Sequence, residues 1–418
     1  MIGWGKRMLK VFYTAGPGNA FGVFEDWRNG LPDASTSHVA YSRQFMDACR
    51  RHGAQALITS YHGAGQERQA HGLSIVRRPD PAQGRRGLAY HRGLLRRAQQ
   101  NIRDATRFGA NLVVLTEDSS PAHYMPLIRR GVTVVQALHT RLWREDRAPG
   151  LLGRLRLRAM APRYRRDLAA VLSCSDVVTR QLRQLAGPDH CPVVEFLPLY
   201  RAEHYDGMSA PVIDAQPLDI AFVGRIEANK GVLDLVEIAR RLRMGGGDCR
   251  FHICGTGSAE DALRQQIAAH GLEGMFRLYG WCDRDRLRAV IGRCQLGIVP
   301  TRRDFIEGFN QVVVETILSG RPAIVSDICP AVNYLADSVT VVPAGDTQGY
   351  VRAIRELAQD RDRLARHVAA CHAESRPFLD ETLSFGAALD RVFTALRDGH
   401  PVVPRAIPVR SGDQTVSR

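Results

Sequence analysis

Two short stretches of this chain carry residue types that do chemistry at a defined spacing. The first is Gly224-Arg225-Ile226-Glu227-Ala228-Asn229-Lys230-Gly231, which sets an arginine and a lysine in a glycine-bounded turn behind an apolar strand pattern over 219–223. Arginine offers phosphate oxygens a planar fork, and lysine offers a compact point charge. Glycines let the backbone come close to a ligand. Fixed cations of this kind suit a diphosphate whose charge grows as it leaves. The second stretch, Glu307-Gly308-Phe309-Asn310 running on to Glu315, sets two carboxylates with seven residues between them. Carboxylates accept hydrogen bonds from sugar hydroxyls. With a helix read over 307–319, Glu307 lies at its positive end, and Glu315 lies two turns on and about 80° round. The pair then addresses different parts of one long ligand: Glu307 the hydroxyls near a reacting carbon, Glu315 the two hydroxyls of a ribose. Together the stretches point to a site for a nucleotide-linked sugar. Taken singly, each reads equally well as an ordinary β-to-α turn with exposed cations, or as a helix-start acid followed by a surface acid.

The elements that must hold these residues alternate short apolar runs with longer helical patterns, the signature of parallel α/β architecture. Strands are expected over 10–14, 56–59, 112–115, 132–136, 170–173 and 193–197, with helices over 38–52, 88–107, 122–130 and 177–185. A weakly periodic stretch over 200–217 reads as a linker. The rhythm then restarts, with strands over 219–223, 250–254, 276–279, 296–300, 322–326 and 339–342. Helices fit over 232–243, 259–270, 284–293, 307–319, 347–359, 361–374 and 379–397. The expected domains are 1–199, 218–375 and a C-terminal helix over 376–397, followed by a tail from 398 whose prolines and polar residues predict loose packing. Two such halves leave a cleft, a common place for ligands.

Composition bounds the rest. The 418 residues suffice for two cored domains. No apolar run of membrane-spanning length occurs, and the N-terminus lacks the apolar stretch of a secretory signal. Nine scattered cysteines without metal-ligand spacing predict free thiols in a reducing cytoplasm. Net charge is +14, which asks for an anionic partner. The densest patch, over 141–166, interleaves Arg141, Arg144, Arg147, Arg154, Arg156, Arg158, Arg163, Arg165 and Arg166 with Trp143, Leu151, Leu152, Leu155, Leu157 and Met160. It reads either as a segment that lies on an anionic membrane face or as a solvated helix face. Nucleic acid is not the expected partner: zinc-finger, RNP-type and glycine-clamp motifs are missing, and aromatics make only 7%.

The second half, over 219–342, resembles the retaining glycosyltransferases of the GT-B fold, family 4. The resemblance rests on Gly224-Arg225 with Lys230-Gly231, the turn Cys254-Gly255-Thr256-Gly257, Pro300 after its strand, Glu307-Gly308-Phe309 with Glu315, and Gly320-Arg321-Pro322-Ala323-Ile324-Val325. The first half is similar at Ala137-Leu138-His139 and Leu172-Ser173-Cys174-Ser175. The sequence departs from the family at Asn310, where glycine is usual. The resemblance implies two Rossmann-like domains facing across a cleft, and transfer of a UDP- or GDP-linked sugar to a saccharide or lipid-linked hydroxyl. It implies no metal and no other cofactor, with the final helix crossing back to the first domain. By the same resemblance Arg225 and Lys230 hold the diphosphate, and Glu307 and His139 position the sugar. Glu315 takes the ribose, Gly255, Gly308, Phe309 and Asn310 complete the donor pocket, and the loop with Gly16 and Gly18 shapes the acceptor side. Polysaccharide or glycolipid assembly in the cytoplasm, peripheral to the inner membrane face, is the expected setting. The alternatives are a nucleotide-sugar 2-epimerase and a non-catalytic nucleotide-sugar or nucleic-acid binder.

Overall fold

The computed structural model describes residues 8–410, apart from 17, 33–36, 62, 64, 117–118 and 145. Pro17, the segment before Met8, the end of the tail after Arg410 and the side chain of Leu152 lie outside the described residues. The chain divides into two compact units. The first holds residues 8–143, Pro149–Tyr200 and Asp380–Ile407; the second holds Arg201–Leu379 with 408–410, Arg144 and 146–148.

The first unit begins with β1 (Lys10–Thr14), α1 (Ala20–Arg28), α2 (Tyr41–Arg51), β2 (Gln55–Ser60), the hairpin β3 (Glu67–Ala70) and β4 (Leu73–Arg77), and α3 (Gly87–Phe108). It continues through β5 (Leu112–Leu115), α4 (Met125–Ile128), β6 (Thr133–Leu138), α5 (Leu151–Pro162), β7 (Ala170–Ser173), α6 (Asp176–Ala186) and β8 (Val193–Glu195). The sheet order is β3-β4-β2-β1-β5-β6-β7-β8, and β3 alone pairs antiparallel. Strands such as β5 and β7 are buried at every position, as a sheet covered on both faces requires.

The second unit contains β9 (Leu218–Val223), α7 (Asp234–Met244), β10 (Cys249–Cys254), α8 (Glu260–Ala269), β11 (Phe276–Gly280), α9 (Arg284–Ile291), β12 (Leu296–Val299), α10 (Gln311–Leu318), β13 (Ala323–Ser326), β14 (Val339–Val342), α11 (Thr347–Gln359) and α12 (Arg361–Ser375). Its six strands run parallel in the order β11-β10-β9-β12-β13-β14. The order reverses at β9, and loops at the carboxyl ends of strands beside such a reversal are where open α/β sheets bind ligands. The turn carrying Arg225 and Lys230 follows β9, and the loop carrying Glu307 follows its neighbour β12.

The chain then returns to the first unit as α13 (Phe385–Arg397). Ser384 caps this helix by accepting from the Ala387 N–H. Gln44 of α2 accepts from the Gly386 N–H, and Arg51 and His52 both reach Asp390. Up to Arg410 the tail is not loosely packed, contrary to what composition predicts. Ile407 donates its N–H to Glu195, and Arg410 pairs with the buried Glu374 at 2.6 Å. These partners lie far off in sequence, so local composition could not reveal them.

Three other expectations change. A helix not among those expected, α1, follows the loop with Gly16 and Gly18 and is capped by Asn19. The β3–β4 hairpin was not anticipated. Most important for the site, the helix expected over 307–319 begins only at Gln311. Asn310 sits at φ 81, in the left-handed region, which stops a helix from running through it. Glu307 therefore belongs to a loop, and the angular relation to Glu315 drawn from a continuous helix does not apply.

Two glycines set the spacing of the loops above the second sheet. Gly231 lies at φ 74, and a Cβ there would stand 1.9 Å from the Pro300 carbonyl oxygen. Gly255 lies at φ 139, and its Cβ would stand 1.9 Å from the Gly224 carbonyl oxygen. The loops after β9, β10 and β12 thus touch backbone to backbone. Gly231→Ala is expected to lower stability by about 2–3 kcal/mol, through positive φ and overpacking together. Gly18→Ala, with open space around its Cβ, is expected to cost under about 0.5 kcal/mol. Urea unfolding midpoints of the two variants check the difference; equal midpoints would refute the close contact.

Candidate active site

The turn after β9 forms one helical turn, Ala228–Lys230, closed by Gly231 in the left-handed conformation. It aims Lys230 towards the loop after β12. The Lys230 ammonium donates to Glu307 Oε2 at 2.8 Å, with the two side chains only 19% and 15% exposed. The same carboxylate oxygen accepts from Asn310 Nδ2 at 3.2 Å. Asn310 Nδ2 also lies 3.4 Å from Thr301 Oγ1 and 2.9 Å from Cys329 Sγ. Asn310 is 3% exposed, and its Oδ1 is buried without a hydrogen-bond partner. At φ 81 it adopts a backbone shape that glycine takes freely and asparagine tolerates. Its side chain restrains the Glu307 carboxylate.

Phe305 is a member that sequence reasoning missed. Lys230 Nζ stands 3.8 Å from the centre of its ring, and the Arg225 guanidinium carbon stands 5.8 Å from it. One aromatic face thus gathers both cations. Arg225 remains 60% exposed and pairs with Glu227 at 2.8 Å, so it sits at the rim. An aromatic residue between Pro300 and Glu307 was the available signal.

Glu315 lies on α10, half-buried. Burial first, then the nearby Glu315 charge, push the Tyr205 phenol well above its usual range. Tyr205 comes from the stretch read as a linker, which here packs into the second unit and supplies an aromatic neighbour for the acid. Phe309 does not present its ring to a ligand. It is 4% exposed, against Tyr334 and Phe378, and anchors the loop to the core. Gly255 gives its N–H to the Gly280 carbonyl at 2.7 Å, so it contributes close approach and not a free donor. Gly308 precedes Phe309 in the same buried turn.

In the first unit, Gly16 and Gly18 border α1, each with open space where a Cβ would lie. His139 follows β6, and its ring packs against Tyr41 at 4.3 Å, Phe196 at 5.4 Å and Phe385 of α13 at 5.5 Å. The residue is half-exposed overall, but its Nδ1 is sealed from solvent without a hydrogen bond. Burial, with a smaller contribution from His38, pulls its pKa down to about 3. His139 is therefore a neutral imidazole at physiological pH. Among the described residues no group of acidic, histidine and cysteine side chains has metal-site geometry, and no helix is long and apolar enough to cross a membrane.

This geometry belongs to an architecture of two Rossmann-like units with the ligand-binding loops at the strand ends. Residues 208–371 match the model for glycosyl transferases group 1. The chain is 31% identical to an alpha-D-kanosaminyltransferase of Streptomyces kanamyceticus over 38% of this chain and 41% of that one. It is 24% identical to a glycogen synthase of Mycobacterium tuberculosis over 59% of this chain and 60% of that one. The match thus spans between two fifths and three fifths of these relatives' lengths. Among solved structures, sucrose-phosphate synthase from Thermosynechococcus elongatus superposes with a TM-score of 0.72 at 12% identity, covering 93% of this chain and 99% of that one. The fold is GT-B.

The depressed His139 pKa has a definite sign. The unfolded chain takes up the proton near pH 6.5, whereas the folded chain resists it down to about pH 3. The favourable contribution is therefore complete above pH 6.5 and is lost as pH falls towards 3. The stability advantage of wild type over His139→Leu is expected to shrink by about 2 kcal/mol between pH 7 and pH 5. Urea titrations at the two pH values test this; an unchanged gap would mean that the ring is solvated.

Proposed function

We propose that this chain transfers a sugar from a UDP- or GDP-linked donor to a hydroxyl acceptor, with retention of anomeric configuration. The observation that carries the reading is the convergence of Lys230 and Glu307 from separate loops onto one place. In the donor, the diphosphate and the transferred sugar share a bond, so their recognition groups must be neighbours. An ammonium has three N–H donors. One serves Glu307, and others remain for phosphate oxygens. Arg225 at the rim adds a second cation, and these side chains meet the charge of the departing diphosphate without a resident cofactor. Positive charge placed there acts most strongly as the glycosidic oxygen gains charge. Glu307, oriented by Asn310, accepts from sugar hydroxyls, and Glu315 beside Tyr205 accepts from ribose hydroxyls. His139, being neutral, serves as a hydrogen-bonding group and not as a cation.

The acceptor is a saccharide or a lipid-linked saccharide, in polysaccharide or glycolipid assembly. A peripheral contact with an anionic bilayer is supported by α5, whose exposed positions include Leu151, Arg154, Leu155 and Arg158. Leu155→Ser is expected to reduce co-sedimentation with phosphatidylglycerol vesicles. Equal recovery with neutral and anionic vesicles would remove the membrane part of the reading.

Transfer itself is tested with a panel of UDP- and GDP-sugars. Lys230→Ala and Glu307→Gln are expected to lower kcat by about 10²–10³ on the preferred donor. Glu315→Ala is expected to weaken donor binding roughly tenfold to hundredfold, with a smaller effect on kcat. The anomeric configuration of the product, read by NMR, decides retention. Absence of donor binding in wild type, or full activity in Lys230→Ala, would overturn the assignment.

A further inference from the structure

β11 ends at Gly280, which lies at φ 67, in the left-handed region that turns a chain sharply. The turn brings Cys282 back towards the end of β10. Its Sγ donates to the Gly280 carbonyl at 3.6 Å, and the same oxygen accepts from the Gly255 N–H at 2.7 Å. Cys282 thus stands against the Cys254–Gly255 peptide, and a side-chain hydrogen bond joins the Cys254 and Cys282 thiols. The two sulfurs differ in access. Cys254 is 2% exposed, whereas Cys282 is half-buried. Burial first, and then Cys282, push the Cys254 thiol up to about 12, so it stays protonated. Cys294 lies near Cys254 as well, but it is buried and its thiol is turned to the Val290 carbonyl at 3.4 Å. The pair also borders a tight seam. The Cys254 carbonyl accepts from the Gly224 N–H at 3.0 Å, and a Cβ on Gly255 would stand 1.9 Å from the Gly224 carbonyl oxygen. Gly224 opens the turn that carries Arg225 and Lys230. The contact has no slack, so a displacement of Cys254 is passed on to that turn.

We propose that Cys254 and Cys282 form a reversible dithiol–disulfide site that controls the turn carrying Lys230. Hydrogen peroxide is the oxidant. The Cys282 thiol reacts first, because it is the one that solvent reaches. The peroxide O–O bond breaks, an S–O bond forms to give a sulfenic acid, and one water leaves. The Cys254 sulfur then attacks the sulfenic sulfur. The S–O bond breaks, the S–S bond forms, and the Cys254 proton leaves with the hydroxyl as a second water. In all, two thiols lose two electrons and two protons, and one peroxide becomes two waters. A small dithiol reverses the step by exchange. Closing the bond draws the two sulfurs from contact to about 2.05 Å, which pulls the end of β10 towards β11 and away from Gly224. The reduced pair keeps the seam closed and Lys230 on Glu307. The cross-link does not depend on the transferase reading; its consequence for the donor rests on it.

Peptide mapping of the whole protein after hydrogen peroxide, with and without dithiothreitol, tests the site. A disulfide between Cys254 and Cys282 is expected, reversed by dithiothreitol and missing in Cys282→Ser. Amide hydrogen exchange over 224–231 is expected to quicken roughly tenfold in the oxidised protein and to stay unchanged in Cys282→Ser treated alike. Affinity for UDP or GDP, whichever binds, is expected to fall roughly tenfold on oxidation and to recover on reduction. Cys282 is half-buried, so the serine variant should fold, and equal urea midpoints of the two reduced proteins check this. Oxidation of Cys282 without a cross-link, a disulfide to another cysteine, or unchanged exchange over 224–231 overturns the proposal. So does equal nucleotide affinity of the two redox forms. A cross-link that quickens exchange in a protein that binds neither nucleotide leaves the switch standing and removes only the transferase reading.

Discussion

A single ion pair organises the loops at the carboxyl ends of β9 and β12. Lys230 and Glu307 lie seventy-seven residues apart in sequence and 2.8 Å apart in space. Each is largely withdrawn from water, and desolvation takes back much of what their attraction returns. Such a pair is a poor way to stabilise a domain. It is a good way to keep a cation and a carboxylate charged, adjacent and aimed. Asn310 and the Phe305 ring complete the arrangement by restraining the carboxylate and the ammonium respectively. The pair therefore explains why a strained asparagine and a partly exposed aromatic ring sit in one short loop.

The pair depends in turn on a backbone constraint. β9 and β12 are neighbours in the sheet, so the loops that leave their carboxyl ends start a strand spacing apart. Gly231 lets those loops close until its Cα faces the Pro300 carbonyl, and the Arg302 N–H donates to the Asn229 carbonyl across the same seam at 2.9 Å. Any side chain at Gly231 would wedge the seam open and move Lys230 away from Glu307. The sheet sets the direction, the glycines set the distance, and the charged side chains then need little freedom. That is the preorganisation that electrostatic stabilisation of a transition state requires.

Much of this was legible in the sequence. The strands of both units stand out because parallel, doubly covered strands are short apolar runs, and 112–115, 170–173 and 339–342 coincide with β5, β7 and β14. What periodicity could not reveal were features decided by tertiary contact. The 307–319 segment looks helical throughout, yet a left-handed residue at Asn310 delays the helix until Gln311. Tyr205 looked like linker because its stretch is rich in proline and aspartate, although it packs beside Glu315. Phe305 carries no periodic signal at all; its place beside two cations follows only from the fold. The tail beyond Asp398 looked loose because its anchors, Glu195 and Glu374, are remote in sequence.

The two units also divide the electrostatics. In the second, Lys230 and Glu307 are paired across loops. In the first, an aromatic cage suppresses the charge of His139. A neutral imidazole has one N–H donor and one acceptor. The His139 ring is covered by Tyr41, Phe196 and Phe385, and one of those three rings arrives on α13, from the far end of the chain. The return of the C-terminal helix to the first unit thus has a chemical consequence: it completes the apolar shell that sets the protonation state of a residue two hundred and forty-six positions earlier in sequence.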